Sequence, residues 1–158
     1  MNFPPVSDNF DWPSFANAVL VADQLTTDFR ERLHLEWTVR GHRIRQSLAN
    51  DERLIAFLRC GLPTYCGGKQ ILYRGENLDR WNEGAVGFCW TAIEATARMF
   101  GSGLNAVSMG GVLLRTTASV EAIIAGPSAH SLYLGESEFT LEPALLREIS
   151  VIEQYNPV

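Results

Sequence analysis

The spacing of apolar residues divides the chain into a helical first part and a strand-rich second part. In the first part, apolar side chains recur every three or four residues after Ser14, which is the predicted helix cap. That pattern either continues or breaks near residues 26–27. A further helix is predicted over residues 51–60, capped by Asn50 or Asp51 and stopped by Gly61 and Pro63.

The second part shows short apolar runs separated by glycine-rich turns, which is typical of strands. Strands are predicted over residues 70–73, 86–91, 112–116, 122–125 and 146–153, with one helix over 92–100. The stretch 131–142 also alternates like a strand, so that Glu136 and Glu138 would lie on one face. We therefore expect one α+β domain over residues 1–158, with a helical part at 1–66 and a β-rich part at 67–158.

Composition narrows the functional classes. The chain has 158 residues, 46% of them hydrophobic and 20% charged, which is ordinary for a globular protein. A net charge of -5 argues against a general nucleic-acid binder. No apolar run approaches the ~20 residues of a membrane span, and the N-terminus does not resemble a secretory signal. Three cysteines without a metal-ligand pattern predict reduced thiols, no metal site and a cytoplasmic location.

Two side-chain clusters have both a structural and a functional interpretation. Glu136 and Glu138 would repel each other by roughly 1 kcal/mol on one strand face. A sequence that served folding alone has little reason to place two carboxylates there, which favours a functional role. The alternative is a solvent-facing edge strand. The basic cluster at residues 40–45 is either a solvated helix face or a contact to phosphate or to an acidic partner.

Three short motifs follow one another in the second part. The string LYRGE places Arg74 at a predicted strand end, where Gly75 permits a sharp turn and the guanidinium can bind a phosphate or carboxylate bidentately. GFCWT then supplies Trp90 and the Thr91 hydroxyl directly before a helix. The third motif is the Glu136–Glu138 pair, which follows a loop of Gly, Pro and Ser. In this order the motifs resemble the arginine–serine–glutamate type of the mono-ADP-ribosyltransferase family.

The resemblance covers roughly residue 70 to the C-terminus and implies a fold, a substrate and residue roles. It implies helices packed on a split, mainly antiparallel pair of sheets, with NAD bound in the cleft between them. Arg74, with Gly75 beside it, would contact NAD, Glu138 would be catalytic, and Glu136 would assist the acceptor. Thr91 alone keeps a hydroxyl of the family's Ser-Thr-Ser motif. The loop 125–133 would recognise a protein target, and an arginine side chain is one acceptor that the resemblance allows.

Physical reasoning assigns chemistry to the same residues. Cleavage between nicotinamide and ribose builds positive charge on the sugar, which a nearby Glu138 carboxylate would stabilise. Tyr73 or Trp90 would stack on a ring of NAD. The resemblance places such free-standing transferases among bacterial toxins and phage-borne modifiers of host proteins.

Several alternatives stay open at this point. Arg74 is otherwise a surface ion-pair partner of Glu76 or Glu94, Trp90 a core residue, and Cys89 an inert buried thiol. His130 is the one histidine placed near the predicted site. The chain as a whole is otherwise an NAD glycohydrolase, or an interaction protein without activity. Its oligomeric state is not indicated by the sequence.

Overall fold

Helices and strands segregate along the chain, as the hydrophobic pattern predicts. The computed structural model describes residues 1–158, and its α+β class confirms the coarse prediction. The chain divides into one unit of Met1–Thr64 with Ser128–His130, and a second of Tyr65–Pro127 with Ser131–Val158. The first unit is helical, and the second holds every strand.

Three helices build the first unit: α1 (Trp12–Leu20), α2 (Thr27–Leu48) and α3 (Asp51–Gly61). Of the two alternatives left open at residues 26–27, the structure shows the break: Thr26 caps α2 by accepting a hydrogen bond from the Phe29 N–H at 3.2 Å. The predicted Ser14 cap is wrong. Asp11 is the cap of α1, and its carboxylate accepts from both the backbone and the hydroxyl of Ser14. Asn50 caps α3, in agreement with the prediction.

Aromatic packing joins the three helices into a core. The Phe15 ring lies 5.9 Å from that of Phe29 and 6.1 Å from that of Phe57, so one residue from each helix meets at this point. All three side chains are buried. None of the helices combines the length and the apolar character that a membrane-crossing segment needs.

The basic cluster of α2 is largely engaged with acidic side chains. Arg40 pairs with Glu36 one turn earlier, Arg43 pairs with Asp8, and Arg45 binds Asp51 bidentately. Such surface pairs contribute little to stability, but they neutralise the local charge. This favours the solvated-face interpretation of the cluster.

The second unit contains a six-stranded antiparallel sheet. Its strands are β1 (Gln70–Asn77), β2 (Cys89–Thr91), β3 (Gly111–Ala118), β4 (Ile123–Ala125), β5 (Glu138–Leu141) and β6 (Ile149–Tyr155). Their order across the sheet is β4-β5-β2-β1-β3-β6. The helices of this part of the chain are α4 (Leu78–Asn82), α5 (Glu94–Ser102) and the short α6 (Ala129–Tyr133), accompanied by two 3-10 turns.

The sheet is continuous but narrow at its centre, which differs from the split pair of sheets expected. β1 and β3 pair along eight residues, whereas β1 and β2 share only the pair Tyr73–Thr91. Continuing that antiparallel register would pair Gly75 with Cys89. Instead, the Cys89 carbonyl accepts from Arg74 at 2.6 Å, and the Gly75 carbonyl accepts from the Asn105 amide at 2.7 Å. Side chains therefore satisfy the backbone where the strands separate.

β1 does not end at Arg74 as predicted. The strand continues to Asn77, which pairs with Gly111 of β3. Gly75 makes no turn, and its role is close packing instead. A Cβ at this position would lie 2.2 Å from the Ala97 carbonyl oxygen and the Gly101 nitrogen of α5. The glycine thus lets α5 lie directly on the sheet.

The predicted strand through Glu136 and Glu138 is also only partly formed. Residues 129–133 are helical, and β5 begins only at Glu138. Gly135 and Ser137 have φ angles of 71° and 46°, which reverse the extended path between the helix and the strand. Glu136 therefore lies in a turn, and the two-residue spacing of a strand does not relate it to Glu138.

Candidate active site

A cleft beside the separated strands brings together the residues that the sequence predicts to be catalytic or to bind NAD. Its empty volume is about 500 Å³, including the open mouth. Its walls include all seven predicted site residues: Tyr73, Arg74, Gly75, Trp90, Thr91, Glu136 and Glu138. Arg74 comes from β1 and Glu138 from β5, so the fold joins groups that are far apart in the sequence.

Arg74 is held at the inner wall by two hydrogen bonds. Its Nε donates to Glu76 Oε2 at 2.7 Å, and its Nη1 donates to the Cys89 carbonyl at 2.6 Å. The side chain of Arg74 is 18% exposed and that of Glu76 only 2%. The predicted alternative of a pair with Glu76 is therefore present, but it is an enclosed pair at the cleft and not a surface one.

The protein environment keeps Glu76 ionised. Burial alone would raise the pKa of Glu76, but the charge and hydrogen bond of Arg74 and the N–H groups of Asn77 and Gly87 outweigh it. The pKa of Glu76 is consequently lowered from its ordinary value. The pair thus remains charged at neutral pH.

Ser131 fixes the turn that carries both site glutamates. Its carbonyl accepts from the Glu136 N–H at 3.0 Å, and its hydroxyl oxygen accepts from the Glu138 N–H at 2.7 Å. Thr91 adds a third contact, since its hydroxyl donates to the Glu136 carbonyl and accepts from the Ile93 N–H. Thr91 is therefore a bracing residue for the Glu136 backbone.

Glu138 lies in surroundings that disfavour its charge. Burial raises the pKa of Glu138, and the nearby charge of Glu136 raises it further. A hydrogen bond from the Cys89 side chain and the charge of Arg74 oppose these effects, yet the pKa remains above its ordinary value. The Cys89 thiol thus contacts the predicted catalytic carboxylate, which the sequence alone does not indicate.

The two aromatic candidates lie in different places. The Trp90 ring is only 1% exposed, packs in the core with residues such as Leu72 and Phe139, and donates from its Nε1 to the Gly87 carbonyl. Trp90 borders the cleft, but its buried ring is not available for stacking. Tyr73 follows the buried Leu72 in β1, so its side chain lies on the opposite face of the strand, and it is partly exposed at the cleft. Of the two predicted stacking residues, only Tyr73 has a side chain that is partly exposed at the cleft.

Five further residues line the cleft that were not predicted as site residues: Cys89, Thr96, Ala97, Phe100 and Asn105. His130, which the sequence placed near the site, does not line the cleft. Thr96 and Phe100 are one turn apart on α5, a spacing that places them on one helix face and was available in the sequence. Asn105 follows α5 in a loop without periodicity, so no sequence signal identified it.

The arrangement combines a cation, two carboxylates and a less polar wall. Arg74 provides donors for an anionic group, and Glu136 and Glu138 provide negative charge close to it. Tyr73 and Phe100, both partly exposed, supply apolar surface that suits a flat ring. These groups fit a ligand that contains an anionic portion, a ring and a centre that becomes positive during reaction.

Known proteins add no assignment. No protein-family model matches the chain, and comparison with curated proteins and with solved structures finds no similar one.

Proposed function

We propose that the chain is an NAD-dependent mono-ADP-ribosyltransferase that modifies a macromolecular target. The observation that carries the proposal is the convergence of Arg74, Glu136 and Glu138 on one cleft, although Arg74 lies far from the two glutamates in the sequence. The motifs LYRGE and GFCWT, which contribute Arg74 and Thr91, support the same assignment through their resemblance to that family.

Arg74 binds the anionic part of NAD in this proposal. Two of its N–H donors are used by Glu76 and Cys89, and a guanidinium has five. The remaining donors can reach the pyrophosphate, which positions the dinucleotide without activating it chemically. The nicotinamide ring packs against Tyr73 and the apolar wall of α5.

Glu138 stabilises the charge that develops when the bond between nicotinamide nitrogen and ribose C1′ breaks. The bonding electron pair leaves with nicotinamide, and C1′ becomes cationic as in glycoside hydrolysis. An ionised carboxylate fixed by the β5 backbone stabilises that cation more than it stabilises neutral ground-state ribose. This difference is the source of the rate enhancement.

Glu136 completes the transfer to an acceptor. A nucleophilic nitrogen of the target, such as that of an arginine side chain, forms the new bond to C1′ and gives up one proton. Glu136 lies in the turn next to Glu138 and is able to accept that proton or orient the incoming group. The products are free nicotinamide and an ADP-ribosylated target.

The direct test is incubation with NAD that carries a label in its adenylate portion, in the presence of a cell lysate. We expect nicotinamide release together with a labelled macromolecule. Nicotinamide release without labelling would identify a glycohydrolase. Absence of both would leave an interaction protein without activity. The Arg74→Ala variant is the matched control, because its cleft lacks the cation that is proposed to bind NAD.

A further inference from the structure

The carboxylate of Glu76 is enclosed and surrounded by hydrogen-bond donors. Oε2 accepts from Arg74 Nε at 2.7 Å and from the Gly87 N–H at 3.0 Å. Oε1 accepts from the Asn77 N–H at 3.0 Å and lies 3.4 Å from Arg80 Nε. Both oxygens are occupied, so this carboxylate does not bind Arg74 bidentately.

Gly87 restricts the same guanidinium from another side. A Cβ at Gly87 would lie 2.2 Å from Arg74 Nη2 and 2.4 Å from its Cζ. No side chain fits there while the guanidinium keeps its place. Together with the bond from Nη1 to the Cys89 carbonyl, Gly87 and Glu76 determine both the position and the plane of the group.

These contacts leave a defined part of Arg74 available to a ligand. Glu76 takes only Nε and Cys89 takes one N–H of Nη1, so the second N–H of Nη1 and both of Nη2 are not used by the protein. An ion pair that served folding alone has no need of this arrangement. Arg74 lines the cleft, and its side chain is 18% exposed.

We propose that Glu76 is a positioning residue and Gly87 its counterpart, which together orient the guanidinium of Arg74 toward the pyrophosphate of NAD. This inference rests on the proposed function and assigns the anion subsite within it. Because Arg74 binds a group that does not react, misplacing it weakens substrate binding more than it slows the chemical step.

The sharpest variant is Gly87→Ala, which displaces the guanidinium without removing either charge. We expect the KM for NAD to rise about tenfold or more, the loss expected for a hydrogen bond to a charged group, while kcat changes much less. Glu76→Gln should shift KM in the same direction. Gly68→Ala is the matched control, since a Cβ there would meet nothing within 4 Å.

A double-mutant cycle separates positioning from a general structural effect. In an Arg74→Ala background, Gly87→Ala should produce no further change in KM, because the group that it displaces is absent. Titration calorimetry with ADP-ribose provides a second readout that does not depend on turnover, and thermal unfolding checks that each variant is folded.

The outcomes separate the two proposals. An active wild type whose folded Gly87→Ala and Glu76→Gln variants keep the wild-type KM would overturn the positioning role alone. The same holds if the effects of Gly87→Ala and Arg74→Ala simply add, or if both single variants fail to fold. A wild type that neither releases nicotinamide nor binds ADP-ribose would overturn the proposed function and this subsite with it.

Discussion

Glu138 combines an unfavourable position for its charge with a firmly held backbone. Its N–H donates to the buried Ser131 hydroxyl, while burial and Glu136 raise the pKa of its carboxyl group. A carboxylate held in such a place gives strong electrostatic stabilisation to a nearby cation, because few water molecules compete with it. The same feature should make its ionisation visible in the pH dependence of the proposed reaction.

The pH profile of nicotinamide release should therefore have a raised acid limb. In the proposed mechanism Glu138 acts as an ionised carboxylate, so its raised pKa predicts that activity falls with decreasing pH while ordinary glutamates are still ionised. Cys89→Ala removes a hydrogen bond that lowers this pKa, so the limb should move to higher pH. The measurement is kcat/KM against pH, with the exposed Cys66→Ala as control. A limb that Cys89→Ala leaves in place would contradict this role of the thiol.

Glu136 should affect transfer more than cleavage. Glu136→Gln removes the proposed proton acceptor for the target but leaves Glu138 and Arg74 in place. We expect label transfer to fall by on the order of 100-fold, the typical effect of losing a general base, while slow hydrolysis of NAD persists. Nicotinamide release and target labelling are measured in parallel on the same sample. Equal loss of both activities would contradict the division of roles between the two glutamates.

At the scale of elements, the cleft depends on β1 and β2 separating after a single residue pair. Gly75 lets α5 lie against β1 at this point, and Asn105 satisfies the Gly75 carbonyl that would otherwise face β2. The wall of the cleft is thus formed by the packing of α5 on β1 and by side chains that bond the backbone groups left unpaired between β1 and β2.

Gly75→Ala tests that packing. The added Cβ would meet the Ala97 and Gly101 backbone, which cannot move as a side chain can, so we expect the free energy of unfolding to fall by about 1–3 kcal/mol. Gly68→Ala, in open space, should leave stability unchanged or raise it by up to about 1 kcal/mol. Urea unfolding of both variants gives the comparison. A Gly75→Ala variant as stable as wild type would mean that α5 is not held by this contact.

The sequence predicts helices and strands well where apolar residues recur at one regular spacing. It predicts them poorly where unusual backbone angles determine the path of the chain. The helix over 51–60 and the strand over 112–116 match α3 and β3 closely, because their apolar spacing is regular. The stretch 131–142 misleads, since Leu132 and Leu134 imitate a strand while the left-handed φ angles at Gly135 and Ser137 produce a turn. Hydropathy carries no information on such angles.

At the scale of the whole molecule, the sequence identifies the cleft residues through ordered motifs and not through periodicity. The motifs predict that Arg74 and the two glutamates lie together, and all three line the cleft, because each motif belongs to a segment that meets there. The sequence could not assign the Trp90 ring to the core, which requires knowing which face of β2 is covered. Nor could it find Asn105, whose position follows from the course of the loop after α5.

The most direct test of the account is nicotinamide release by Glu138→Gln, compared with wild type at saturating NAD. The substitution keeps the shape but removes the charge, and we expect the rate to fall on the order of 100-fold or more. The stability of the folded protein should not decrease. The raised pKa of Glu138 means that folding favours the protonated carboxyl group, and this contribution is lost as the pH rises through that pKa. At pH 7 the ionised Glu138 therefore destabilises the fold, and the neutral amide of Gln removes that destabilisation. Binding of ADP-ribose should persist. A folded Glu138→Gln variant that releases nicotinamide at the wild-type rate would contradict the mechanism.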